Sequence, residues 1–377
     1  MIILYIFNMK NIAYVTFMVV IFLQSCTNEV LVSGAYPIPM PQELKDVGNN
    51  ITADFEILQL QTGEKDTLLA DIKKVVSLYD RLYLLSQSNG SVYIFGNDGS
   101  FVKKLSQGRG PGEFLSAYDI LIDRTNENLE VLSGANVFRY DRDGNFINKI
   151  ELPRALIMEF GKVGDKYLLY TPRITDKNKY YFRLYDSQTG AESNLVEGFP
   201  LPLVEMKPHI GQDRNGEIYF NGMCGETLYT INEDGICKEI CRFAPFISDI
   251  PTFEIEHFSD LADKITDKYI CFCGVRNVGT HLLEMCVCSD RLYNIVYDTS
   301  SKTAYRSIFD GVQGIDYVGY DSQWSYYAVY PYLVSEMDSV SKIHPMARQI
   351  VEGMRPIAEK DIEGNPIIIK LKYEMYH

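Results

Sequence analysis

"VYIFGNDGSFVKKL", residues 92–105, sets two apolar runs on either side of a polar turn that ends in glycine. The same plan returns as "VFRYDRDGNFINKI" at 137–150, "FRLYDSQTGAESNL" at 182–195 and "LYTINEDGICKEIC" at 228–241. Gly99, Gly144, Gly190 and Gly235 hold the same place in each copy, at spacings of 45, 46 and 45 residues. Asp-Gly between alternating runs signals a hairpin, because glycine takes the positive φ that a tight turn requires. A fifth copy, "LYNIVYDTSSKTAYRSI" at 292–308, lacks the glycine.

Upstream of each hairpin lies another strand-like run: "LYLLSQ" (82–87), "ENLEVLSG" (127–134), "KYLLYTP" (166–172), "GEIYFNG" (216–222) and "KYICFCG" (268–274). Four strands recurring at this period are the pattern of propeller blades. A βαβ repeat would need a helical stretch in every period, and none occurs. The sixth unit is split. "WSYYAVYPYLV" (324–334) and "NPIIIKLKYEM" (365–375) supply most of it, and "ITADFEILQL" (51–60) supplies a strand from the other end of the chain. Pairing the two ends closes a ring and removes the exposed edges of a linear array. Between the last two runs, residues 335–360 read as a helical excursion interrupted by Pro345 and Pro356. The expected fold is all-β: a six-bladed β-propeller of four-stranded blades over residues 51–377, with a short helical insertion in the last blade.

"SQGRGPGEFLSAYDILID" (106–123) follows the outer strand of the first unit and precedes the inner strand of the second, so it is a blade-to-blade crossing. A phosphate-binding Walker loop needs Gly-Lys-Ser/Thr opening a helix, and a dinucleotide fingerprint also needs a helix. Here Gly112 is followed by Glu113, Phe114 and then a strand. "GRGPGEF" with "YDILID" is similar to the linker of NHL-type propeller repeats. With "LQSC" near the start and the terminal "NPIIIKLK", the chain resembles six-bladed β-propeller lipoproteins abundant in gut Bacteroidota. That resemblance implies a fold and a location more than an activity. In such propellers the outer-to-inner crossings surround the channel opening. Arg109 and Glu113 are therefore candidate binding residues, against their ordinary role as a pair bracing the turn.

The start has the layout of a secretory signal: Lys10, an apolar run from Ile12 to Leu23, then small residues. The run is too short to span a bilayer comfortably. Met9 is the more ordinary start. "LQSC" resembles the lipobox of bacterial lipoproteins, which implies acylation of Cys26 after removal of residues 1–25. Thr27 replaces the aspartate that resembles an inner-membrane retention signal, so the expected location is the outer membrane, on its periplasmic or surface side. Residues 26–50 carry prolines and glycines without periodicity and read as a lipidated tether. The formal charge of −14 argues against nucleic acid, whose phosphates need a basic footprint. Twenty-seven tyrosines and nineteen phenylalanines favour strands.

Chemistry-bearing patterns are scarce. The five histidines, His209 and His257 among them, show no metal-ligand spacing. Asp119, Asp123, Asp213 and Glu217 lie near inner strands, as chance predicts for an acidic chain, and no Gly-x-Ser-x-Gly elbow exists. No cofactor, metal or catalytic residue is assigned. Trp324 and Tyr326 belong to an aromatic cluster that either stacks on a sugar or peptide at a channel mouth or packs between blades. Two function classes stand. One is an outer-membrane-anchored module binding a small ligand, glycan or protein, in glycan or peptide uptake. The other is a metal-assisted hydrolase or lyase in the channel. Finally, "YICFCGVRNVGTHLLEMCVCSD" (269–290) reads as a hairpin turning at Gly279-Thr280. That register sets Cys271 against Cys288 and Cys273 against Cys286. Cross-strand disulfides and buried thiols are both open to these pairs.

Overall fold

The computed structural model describes residues 36–39, 41–46, 51–62, 68–172, 179–197, 210–212, 217–221, 227–243, 271–277, 281–288, 292–321, 323–337 and 344–375. The chain is mostly β. Its described strands lie in five sheets whose neighbours are antiparallel at all but two junctions. β3 (Lys74–Leu78), β4 (Arg81–Leu85), β5 (Val92–Gly96) and β6 (Phe101–Lys104) form one meander. β7 (Asp119–Asp123), β8 (Asn128–Ser133), β9 (Asn136–Tyr140) and β10 (Phe146–Glu151) form the next. β11 (Glu159–Val163), β12 (Lys166–Tyr170), β13 (Tyr180–Asp186) and β14 (Glu192–Glu197) follow. Then come β15 (Ile210–Gln212), β16 (Ile218–Phe220), β17 (Thr227–Ile231) and β18 (Cys237–Phe243). β19 (Cys271–Asn277), β20 (Leu282–Cys288), β21 (Leu292–Asp298) and β22 (Thr303–Arg306) complete the regular series.

β23 (Ile315–Tyr320), β24 (Ser325–Val329) and β25 (Ile367–Met375) pair in order, and β2 (Ile51–Gln59) adds to β25 from Ile51 opposite Met375 to Gln59 opposite Ile367. The two ends of the chain thus share a sheet, as the split repeat predicts. One register pair, Gly319 with Val75, joins β23 to β3 and makes the first and last groups a single eight-stranded sheet. Faces of successive sheets bury apolar layers between them. Tyr83, Ile94, Ile120 and Val131 meet between the first two groups, and Leu132, Val137, Phe160 and Tyr167 between the next two.

The repeated glycines lie at φ 84°, 75°, 74° and 83° for Gly99, Gly144, Gly190 and Gly235. At Gly144 the turn is one residue longer than a two-residue hairpin. Its N–H bonds to the Asp141 carbonyl at 3.0 Å, and Asp141 N bonds to Asn145 O at 2.9 Å. This is a three-residue connection with a left-handed glycine last.

Three expectations need correction. Part of the presumed tether is packed structure. β1 (Tyr36–Ile38) runs parallel to the outer strand β18, Ile38 and Leu44 are buried, and Asp46 pairs with Arg306 at 2.9 Å. Covering two outer edges offsets the lack of a longer apolar pattern. The helical excursion comprises α1 (Pro331–Val334) and α2 (Pro345–Lys360). Pro345 starts α2, where its missing N–H costs nothing, and the helix continues through Pro356. Burial of Ala347, Ile350, Val351, Met354 and Ala358 in the last sheet's core offsets the lost rung. Third, the backbone sets Cys271 opposite Cys288, but a bulge at Cys273 places Gly274 opposite Cys286. The Cys273–Cys286 pairing is therefore lost, because past the bulge opposed residues sum to 560 and not 559; the Gly279-Thr280 turn itself lies outside the described residues.

Candidate functional site

The first strands of the groups, β3, β7, β11, β15, β19 and β23, all send residues to one axial space. Val75, Leu121, Phe160, Ile210, Val275 and Tyr317 leave about 60 Å³ of it open, room for a few waters. At their starts these strands are stitched together by carboxylates. Asp119 takes the Lys74 ammonium at 2.8 Å and the Phe160 N–H at 3.1 Å. One sheet further on, Glu159 accepts the Ile210 N–H at 3.2 Å. Each carboxylate is buried and satisfied by the next sheet, which makes these acids structural.

At the opposite ends of the strands the space opens into a basin of about 350 Å³. Its walls are the β7–β8 turn, the β11–β12 turn and the β17–β18 turn, with Ile218 and Gln212 beneath. Ile122, Arg124, Lys162, Gln212 and Ile218 line both spaces, so the basin is the turn-end mouth of the axis.

A buried polar network backs this basin. Asp123, at the end of β7, accepts from Thr125 N at 3.1 Å and Asn126 Nδ2 at 2.9 Å. Lys162 Nζ stands 3.4 Å from Asp123 Oδ2, 3.8 Å from Glu130 Oε1 and 4.3 Å from the Tyr167 ring centre. Arg139 Nε donates to Glu130 Oε1 at 2.7 Å, and the Tyr167 hydroxyl donates to the same oxygen at 3.0 Å. Glu130 Oε2 has no hydrogen-bond partner among the described residues. Burial pushes the Glu130 carboxyl up, more than Lys162 and Arg139 bring it down. Burial also pushes Asp123 up, but the Asn126 amide and the Lys162 ammonium outweigh it and hold that carboxyl below 3.8.

The four channel-face candidates are not brought together. Arg109 is exposed in the crossing that leads into β7. Glu113 turns inward on its own loop, where Oε2 accepts the Gly110 N–H at 2.8 Å. A Cβ at Gly108 would sit 2.1 Å from that oxygen, so glycine makes room for the carboxylate. Trp324 and Tyr326 lie past the end of β23, at the other end of the axis. The Trp324 ring packs half-buried against a core that includes Tyr326, whose hydroxyl donates to Asp321. Cys26, His209 and His257 lie outside the described residues. Among the described residues no group of three or more His, Cys, Asp and Glu side chains could hold a metal. None of the described helices is long and apolar enough to cross a membrane. Glu130, Arg139, Lys162 and Tyr167 escape sequence reasoning because they come from four strands. The available signal was a carboxylate inside an apolar run, as in "NLEVLS".

The chain is similar in fold to two solved structures of low identity. An exported-protein candidate from Bacteroides fragilis is 17% identical with a TM-score of 0.70, covering 90% of this chain and 100% of that one. A member of the DUF4221 family from Bacteroides vulgatus is 8% identical with a TM-score of 0.53, covering 87% and 99%. No curated protein sequence matches. A family model described as "Domain of unknown function (DUF4934)" matches residues 38–372, from the packed N-terminal strand to β25, and the chain belongs to that family.

Proposed function

We propose that the chain is a six-bladed propeller lipoprotein, anchored to the outer membrane through Cys26, that binds a small polar ligand in the turn-end basin. The ring is read from the six first strands around one axis, with β2 completing the last blade. The lipid anchor rests on the "LQSC" stretch alone. The observation that carries the binding reading is the contrast in volume along the axis. About 60 Å³ inside the ring cannot hold a substrate, whereas about 350 Å³ at the turn-end mouth lies within the range of roughly 300–1,000 Å³ common for ligand sites. A hydrolase or lyase working inside the channel lacks that room. Glycan or peptide uptake at the cell envelope is the setting this reading fits, and Arg109, exposed on the far face, is left for a protein contact.

The test is a fragment screen by thermal shift on the soluble domain, repeated on Thr125→Trp, which fills the basin from an exposed turn position. Ligands that stabilise the unmodified protein and not the variant support the reading. A screen with no ligand sensitive to Thr125→Trp refutes it.

A further inference from the structure

Most charges around the basin are already engaged. Lys162 is held by two carboxylates and a ring, and Asp123 by Lys162 and its own turn. Glu217 Oε2 accepts the Tyr219 hydroxyl at 2.8 Å, and the Asn232 Oδ1 caps its own turn by accepting from Ile236 N at 2.8 Å. Two charges differ. Arg124, on the β7–β8 turn, and Glu233, on the β17–β18 turn, are exposed side chains without an ion pair or hydrogen bond among the described residues. They are opposite in sign and stand on walls that belong to different sheets. The β11–β12 turn, Val163 and Gly164, lines the basin between them.

Resting on the basin reading above, we infer that the ligand is a short zwitterionic peptide. Its carboxylate docks on the Arg124 guanidinium, and its ammonium docks on the Glu233 carboxylate. A guanidinium offers two parallel N–H donors to a carboxylate, which a lysine in the same place would not. A free α-amino acid carries both charges on one carbon. Two charges that stand on separate walls and form no ion pair with each other ask for more length, and each added residue extends the span by about 3.3–3.6 Å. The apolar floor from Ile122, Ile218 and Ile231 suits small side chains, while the chain's negative charge disfavours ligands that are only anionic.

The test is calorimetric titration with dialanine and trialanine against their N-acetylated and C-amidated forms. With the unmodified protein, capping either terminus is expected to weaken binding about tenfold, the scale of one charge-assisted hydrogen bond. Arg124→Gln should abolish the difference between free and amidated peptide and leave the acetylation penalty. Glu233→Gln should do the reverse. Capped peptides binding as tightly as free ones, or penalties that persist in both variants, overturn the inference. If none of these peptides binds while fragments sensitive to Thr125→Trp are found, the basin reading stands and the peptide class falls. If no such fragment is found either, both fall.

Discussion

Gly319→Ala tests the joint between the first and last groups of strands. Gly319 faces Val75 in the one register pair that links β23 to β3. A Cβ there would lie 1.8 Å from the Val75 carbonyl oxygen and 2.8 Å from its carbonyl carbon. Real Cβ atoms essentially never come closer than 3.0 Å, so the two strands must part by at least about 1.2 Å. The obstacle is backbone in a sheet, which cannot rotate away as a side chain tip does. Overpacking of this kind costs about 1–3 kcal/mol, and losing a seam hydrogen bond adds about 1 kcal/mol. We expect a loss of about 2–4 kcal/mol in urea unfolding. Gly190→Ala is the control: φ is 74° and nothing lies within 4 Å of the added carbon. Only the left-handed conformation is penalised there, by about 1–2 kcal/mol. Hydrogen exchange should quicken in β3 and β23 of Gly319→Ala alone. If the two variants lose the same stability, the seam is not a tight joint and the reasoning fails.

Deleting residues 51–59 removes the strand that covers β25 over nine register pairs, and should give an aggregating or unfolded protein. Full thermal stability of the deletion would overturn the closure. Acid should destabilise the fold through its turns. Hydrogen bonds hold the Asp98 and Asp186 carboxyls below 3.8, and at Asp141 and Asp298 they outweigh the upward push of burial. The unfolded chain therefore takes up protons first, and this stability, complete above about pH 5, is lost as pH falls through the depressed values. Urea midpoints between pH 5 and 3 should fall less steeply in Asp141→Asn, and equal slopes would count against these caps. Cys26→Ala should abolish labelling by a palmitate analogue and leave the fold intact; label that persists rejects Cys26 as the lipid site.

The repeat was legible because its markers are local. A hairpin glycine every 45 or 46 residues reports a backbone conformation, and β2 was recoverable because its apolar run had no partner nearby. What stayed hidden depends on neighbours distant in the chain. β1 is three residues long with Pro37 at its centre, and nothing in "YPI" says that β18 lies beside it. Pro356 reads as a helix breaker until the burial of Ile350, Val351 and Met354 outweighs it. The bulge at Cys273 adds one residue to a single strand, which composition does not specify. The basin was invisible for the same reason. Asp123 looked like chance in an acidic chain, and its significance comes from Lys162 on the neighbouring sheet.

The packed N-terminal strand has a consequence for how the molecule would sit on a membrane. It leaves from β18, the outermost strand of its sheet, so the leash is fastened to the flank and not to either end of the axis. With Cys26 lipidated, residues 26–36 reach at most about 35 Å fully extended. Were the body anchored there, an attachment at its side would favour lying like a wheel on its tread, its axle parallel to the bilayer. Both axial mouths would then open sideways along the membrane plane. In that posture the basin would face along the bilayer surface and not away from it.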